Sequence, residues 1–165
     1  MLYTLHPSPF GELLIAGPRP GVLASVTVPR QKRGPSVQPD WQRDDSAFTE
    51  ATRQFDAYFA GERTTFDLTL EPVGTEFRRR VWDTLHTIEF GATATYGQVT
   101  EMAGLPRNAV RAVGGAIGAN PLWVVCPCHR VIGADGSLTG YAGGLDRKQM
   151  LLAHEGVLPA QLTIV

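Results

Sequence analysis

The sequence predicts an α/β protein in two parts, a small N-terminal α/β segment and a mainly helical C-terminal segment that carries a helix-turn-helix. Three observations support this. Short apolar or alternating runs from Leu2 to Val28 are separated by Pro/Gly-rich turns. From Thr75 onward, apolar residues recur at helical spacing behind good N-caps. Two short helical stretches flank the tight Gly104-Leu105-Pro106 turn. The chain has 165 residues, 43% of them apolar and 19% charged, enough to bury a core in one or two ordinary globular domains. The Glu71-Pro72-Val73-Gly74 stretch reads as the linker, placing the domains at residues 1–74 and 75–165.

In the N-terminal part, Leu2–His6, Leu13–Ala16 and Val22–Val28 read as strands, with Pro7–Gly11 and Gly17–Gly21 as turns. The polar, proline-rich stretch from Pro29 to Asp45 reads as a surface loop. A helix is predicted from Ser46, with Phe48, Ala51, Phe55 and Phe59 on one face and Gly61 ending it. Phe66–Leu70 reads as a further strand. No catalytic pattern is visible in this part.

In the C-terminal part, Thr75 caps a helix whose buried face is Phe77, Val81, Leu85 and Ile88, and Gly91 closes that region. Thr95 and Gln98 have capping-box spacing and open a short helix that stops at Gly104. After Pro106 a second helix is predicted from about Asn108 to Ile117. That helix contains Arg111-Ala112-Val113-Gly114-Gly115-Ala116, one cation followed by almost no side-chain bulk. Each glycine costs a helix ~1 kcal/mol relative to alanine, so the pair implies close approach of another surface, a neighbouring helix or a nucleic-acid groove. Leu122–Cys126 reads as a buried strand, and Asp135-Gly136-Ser137 as a turn. Gly140–Gly144 reads as a flexible loop with one aromatic, Tyr141. Asp146 with Gln149 has capping-box spacing for a last helix, which Gly156 ends. Glu155 then falls at the negative end of that helix, against its local preference.

Composition excludes several classes. Nothing at the start has the form of a signal peptide, and no run approaches the ~20 apolar residues of a membrane span. The two cysteines, Cys126 and Cys128, form no disulfide framework, so a cytoplasmic protein is expected. The 15 Lys+Arg balance 16 Asp+Glu, so any affinity for nucleic acid comes from local placement of charge.

The chemistry is concentrated in Pro127-Cys128-His129-Arg130-Val131. A cysteine beside a histidine, after a burying apolar run, is either an inert small hydrophobe or a nucleophile whose thiolate needs a base and fixed dipoles. Taken with Arg111-Ala112-Val113-Gly114, Asn120-Pro121, Gly140-Tyr141-Ala142-Gly143-Gly144 and His154-Glu155-Gly156, this stretch resembles the O6-alkylguanine-DNA alkyltransferase family. The resemblance is dense from Thr75 to Gly156 and thinner before, where it rests on Ser8–Gly11 and Tyr58–Gly61.

The resemblance implies an RNase H-like N-terminal domain and a winged-helix-like DNA-binding surface. It makes Cys128 the acceptor of the alkyl group, His129 a base acting through a water, and Glu155 the group that orients and charges the histidine. Asn120 would bridge the helix-turn-helix to the cysteine. Arg111 would replace the extruded nucleotide, with Ala112, Gly114 and Gly115 against the groove. Tyr96 would crowd the adjacent phosphate, and Tyr96, Val131, Tyr141 and Ala142 would line the pocket. The implied partner is double-stranded DNA containing O6-alkylguanine, and O4-alkylthymine is a further implied substrate. The chain is expected to act as a monomer, with cooperative assembly on DNA left open, and without a membrane. No cofactor is expected. Zinc-holding members use N-terminal cysteines, and His6 and His86 alone do not make a four-ligand site.

Other classes use fewer of these residues. A cysteine hydrolase would leave the helix-turn-helix and Arg111 without a role, and a transcriptional regulator would leave Cys128-His129 and Glu155 without one. A non-catalytic relative would lack the cysteine. Cys126 is read as a small buried hydrophobe. The sharper alternative is a redox partner of Cys128, facing the same side of a strand.

Overall fold

The computed structural model describes residues 1–32, 34–138, 141, 144–157 and 163–164. The chain divides into two compact units, Met1–Val73 with Pro121–Val125, and Gly74–Asn120 with Cys126–Val165. The main break falls at the expected linker, and Pro121–Val125 returns to the first unit. The cause is local. Leu122, Trp123, Val124 and Val125 are all buried, and Val26 donates to the Pro121 carbonyl (2.8 Å) and accepts from Trp123 N–H (3.1 Å). The run was expected as a strand, but only a bridge between Leu122 and Val26 forms. Val124 holds φ 64°, and Val125 N–H donates to the Trp123 carbonyl at 2.8 Å, so the chain turns there instead of extending.

In the first unit, Leu2–Ser8 (β1) and Gly11–Gly17 (β2) form an antiparallel hairpin in register from Leu2↔Gly17 to Ser8↔Gly11. The predicted strand Val22–Val28 is divided into Val22–Leu23 (β3) and Ser25–Thr27 (β4), which take different partners. The expected loop contains Gln42–Arg43 (β5), parallel to β1, and the sheet order is β4-β2-β1-β5. A 3-10 turn at Asp45–Phe48, capped by Asp44, precedes the helix Thr49–Phe59 (α1), so the predicted start at Ser46 falls in that turn. Ala51, Phe55 and Tyr58 are buried on α1, while Phe59 is half-buried. Of the strand predicted at Phe66–Leu70, only Thr69–Leu70 (β6) pairs, with β3. The core is Leu13, Ile15, Leu23, Phe48, Phe55 and Tyr58, extended by Trp123 against Phe10 (ring centroids 5.3 Å apart). Burying such side chains contributes ~1.5–3 kcal/mol each.

The second unit opens with Glu76–Leu85 (α2), whose N-cap Thr75 accepts from Arg78 N–H as expected. Val81, Trp82 and Leu85 are its buried residues; Phe77 is half-buried, and Ile88 is buried beyond the helix end. Gly74 is required beside it, since a Cβ there would lie 2.5 Å from the Trp82 ring. Ala94–Thr95 (β7) leads directly into Tyr96–Met102 (α3), whose Thr95/Gln98 capping box is complete. Gly104 takes φ 71° and stops that helix. Arg80 on α2 donates to the Ala103 carbonyl at 2.8 Å, fixing the turn against α2. A 3-10 turn at Arg107–Ala109 runs into Val110–Gly118 (α4), the second helix of the pair. Trp82 Nε1 donates to the Ala116 carbonyl (2.8 Å), tying α2 to α4.

Val131–Ile132 (β8) pairs parallel with β7, and Ser137–Leu138 (β9) with Thr163–Ile164 (β10). The last helix is Leu145–His154 (α5). The predicted Asp146/Gln149 capping box does not form: the N-cap is Gly144 at φ 97°, with no side-chain cap. An N-cap glycine with left-handed φ leaves no side chain to begin a box. Gly156 at φ 86° follows the C-cap Glu155, as expected.

Candidate active site

Two connections place the cysteine against the helix-turn-helix. The β7–β8 ladder, Ala94↔Val131 and Thr95↔Ile132, ends at Thr95, the N-cap of α3. Buried Asn120, just beyond α4, donates from Nδ2 to the Cys126 carbonyl at 2.8 Å. The same carbonyl accepts the Cys128 N–H at 2.8 Å around Pro127 (φ −81°, ψ 61°), a three-residue turn that proline's fixed φ favours. Cys128–Arg130 then forms one 3-10 turn, closed by Val131 N–H on the Cys128 carbonyl. Cys128 thus sits on a turn and not at a strand end. Cys126 does not share a strand face with it; its sulfur lies 3.7 Å from the Trp82 carbonyl, and both thiols are free.

Burial pushes the Cys128 thiol up from its usual range. Side-chain hydrogen bonds from Asn120 and Tyr141 and the positive charge of Lys148 pull it down. Such a thiol needs a base to become nucleophilic at neutral pH. His129 is fully buried, with Nε2 2.9 Å from Glu155 Oε2. Burial lowers its basicity first, Glu155 opposes that, and Arg130 and Lys148 add to the lowering. The ring is therefore neutral at pH 7. A carboxylate at Nε2 makes that nitrogen the N–H donor and leaves Nδ1 as the acceptor. Nδ1 has no hydrogen-bond partner among the described residues.

Glu155, expected at an unfavourable helix end, is buried and held from the other side. Arg130 Nε donates to Oε1 (2.7 Å), Nη2 donates to Oε2 (2.9 Å), and Nη1 donates to the Ile88 carbonyl (2.6 Å). The guanidinium is stronger than the helix-end effect, so the local penalty does not decide the placement.

Two charged residues of this site were missed in the sequence reading, Arg130 and Lys148. Lys148 is 1% exposed on α5, and burial holds its ammonium down at about 8. Its Nζ lies 5.8 Å from the centroid of the Tyr141 ring. The signal was present, since Lys148, Leu151, Leu152 and Glu155 follow helical spacing and share the buried face.

The other predicted residues divide into two groups. Val131 is buried beside Cys128, and Tyr141 reaches its sulfur. Arg111, Ala112 and Gly115 are exposed on α4, whose buried side is Val113, Ala116 and Ile117. Tyr96, half-buried at the start of α3, packs beside Gly114: a Cβ there would lie 3.9 Å from its ring. At Gly115 a Cβ would meet no described residue outside its own helix backbone within 4 Å, so packing among the described residues does not require that glycine. Ala142 lies outside the described residues. Among the described residues, no three His, Cys, Asp or Glu are grouped to hold a metal ion, and no helix is long and apolar enough to cross a membrane.

Two family models match the chain. Residues 1–72 match the family model of the 6-O-methylguanine DNA methyltransferase ribonuclease-like domain. Residues 76–157 match that of the DNA binding domain of the same family. A methylated-DNA–protein-cysteine methyltransferase of Mycolicibacterium paratuberculosis is 51% identical over 163 residues, 98% of this chain and 97% of the relative. One from Methanosarcina acetivorans is 47% identical over 156 residues, 94% of this chain and 99% of the relative. The crystal structure of Mycobacterium tuberculosis OGT in complex with DNA matches with a TM-score of 0.89 at 45% identity, covering 98% of this chain and 97% of that one.

Proposed function

The chain belongs to the 6-O-methylguanine DNA methyltransferase family, and on that premise we propose that it repairs O6-alkylguanine in duplex DNA by one irreversible transfer of the alkyl group to Cys128 Sγ. The observation that supports this reading most is a buried thiol next to a neutral histidine that a buried carboxylate holds by Nε2. His129 Nδ1 takes the thiol proton through a water, and Glu155 stabilises the imidazolium that forms. The thiolate attacks the alkyl carbon. The S–C bond forms as the C–O bond breaks, its electron pair stays on the guanine oxygen, and a proton restores guanine. Asn120, Tyr141 and Lys148 stabilise the thiolate. The thioether product has no good leaving group, so each chain reacts once.

The alkylated oxygen is buried in the base stack, and extrusion costs a few kcal/mol. The exposed face of α4 supplies the means: Arg111 fills the vacated position, while Ala112, Gly114 and Gly115 let the helix approach the minor groove without reading sequence. Tyr96 crowds the adjacent phosphate and rotates the nucleotide. Val131, Tyr141 and Ala142 line the pocket that receives it. O4-alkylthymine presents the same alkyl–oxygen unit and is a second substrate.

Titration of the protein with excess duplex carrying one O6-methylguanine tests the proposal. Restored guanine levels off at one equivalent per chain. Continued restoration beyond that, or none, would refute it.

A further inference from the structure

We propose that Arg130 is the positioning residue of this site. By gripping both oxygens of Glu155, it keeps the His129–Glu155 pair in the one state that can take a thiol proton, a neutral imidazole with Nε2–H towards the carboxylate and Nδ1 open.

The grip is side-on and bidentate, Nε to Oε1 at 2.7 Å and Nη2 to Oε2 at 2.9 Å. The third donor, Nη1, is fixed on the Ile88 carbonyl at 2.6 Å, and the guanidinium carbon lies 6.0 Å from the Phe90 ring centroid. Arg130 is therefore anchored on the connection between α2 and β7, independently of Glu155. The Glu155 carboxylate, 0% exposed, is held at a position it does not choose itself.

The charge argument points the same way. A fully buried carboxylate requires a counter-charge. With Arg130 absent, the nearest candidate is His129, and an imidazolium has no lone pair on Nδ1. Arg130 supplies that charge and leaves the imidazole neutral. Among the described residues, the other charged or titratable groups around the pair and Arg130 include Cys128 on the same turn, Cys126 before it, Lys148 on α5, and His86 with Asp83 at the end of α2. Lys148 acts on His129 in the same direction as Arg130. Lysine in place of Arg130 would keep the charge and lose the planar two-bond grip.

The alkyl-transfer arm of the test rests on the proposed repair function; the spectroscopic arm does not. Long-range proton–nitrogen NMR of the histidines reads the tautomer and charge of His129 in the wild-type protein, Arg130→Gln and Arg130→Lys. Wild-type His129 should be the neutral Nε2–H tautomer from about pH 6 to 8. In Arg130→Gln it should be an imidazolium or a mixture of tautomers at neutral pH, and Arg130→Lys should fall between. The acid limb of the transfer rate should move up by at least about one pH unit in Arg130→Gln, a loss of about tenfold on that limb that recovers at higher pH. A merely structural role would lower the rate equally at every pH. The proposal is overturned if wild-type His129 is an imidazolium or the Nδ1–H tautomer, or if Arg130→Gln leaves its state unchanged. Should Arg130→Gln fail to fold, the wild-type tautomer and Arg130→Lys still decide. An absence of alkyl transfer in the wild type, with the predicted tautomer present, would refute the repair function and leave the role of Arg130 standing.

Discussion

The side-chain amide of Asn120 and the backbone N–H of Cys128 donate to one carbonyl, that of Cys126, each at 2.8 Å. One buried amide therefore joins the end of α4 to the turn that presents the thiol. A shift at the helix would reach the sulfur through a single hydrogen bond, and Asn120 also bonds the sulfur itself.

Asn120→Ala removes both contacts. The Cys126 carbonyl keeps its backbone donor, so the stability loss should be ~1–3 kcal/mol and not a failure to fold. The thiol should titrate higher than in the wild type. Alkylation of Cys128 by a small thiol reagent across a pH series checks this; an unchanged profile would exclude a role for Asn120 at the sulfur.

Lys148→Met separates stability from reactivity. The folded ammonium titrates at about 8 against 10.5 in the unfolded chain, so below about 8 folding bears the whole cost of burying a charge. Between those values the unfolded chain holds a proton that the folded one does not, and stability rises with pH. The variant should be more stable than wild type by about 3 kcal/mol at pH 7, with the difference vanishing above the unfolded value. It should also transfer alkyl groups more slowly, because the thiolate loses a nearby positive charge. Denaturant melts at pH 7 and pH 10 read the first effect, and single-turnover kinetics read the second.

Gly115→Ala tests why α4 is so bare. Beyond the helix's own backbone, no atom of the described residues lies within 4 Å of the new methyl group, so it should stabilise the helix by ~0.5–1 kcal/mol. If the bare face serves DNA, the same methyl should weaken binding to duplex. A gain in both stability and affinity would show that the glycine has no part in the interface.

Cys126→Ala should leave oxidative inactivation at the wild-type rate, because the Cys126 sulfur is directed at the Trp82 carbonyl. Thiol titration under peroxide compares the two, and slower or altered inactivation of the variant would restore the redox-pair reading.

Local chemistry made much of this legible in the sequence. The Thr75 cap, the Thr95/Gln98 box and the Gly104 stop depend on residues three or four apart, and all three stand in the structure. The pair His129 and Glu155 was assigned through family resemblance, and the structure places their side chains 2.9 Å apart. What was not legible depends on distant partners. Leu122–Cys126 has strand composition, but its backbone bonds go to Val26 and to a turn at Val124 that a β-branched residue does not advertise. Val22–Val28 reads as one strand, yet its two ends pair with different segments. By residue type Arg130 and Lys148 belong at the surface; helical spacing with Leu151, Leu152 and Glu155 already sets Lys148 on a buried face, whereas the burial of Arg130 shows only in the tertiary structure.

Intact-protein mass spectrometry after incubation with a duplex carrying one O6-methylguanine tests the central claim most directly. The account predicts the gain of one methylene's mass, mapped to the peptide containing Cys128 and absent in Cys128→Ser. Binding of the lesion duplex with no gain in mass would contradict it and leave Cys128 as a buried structural thiol.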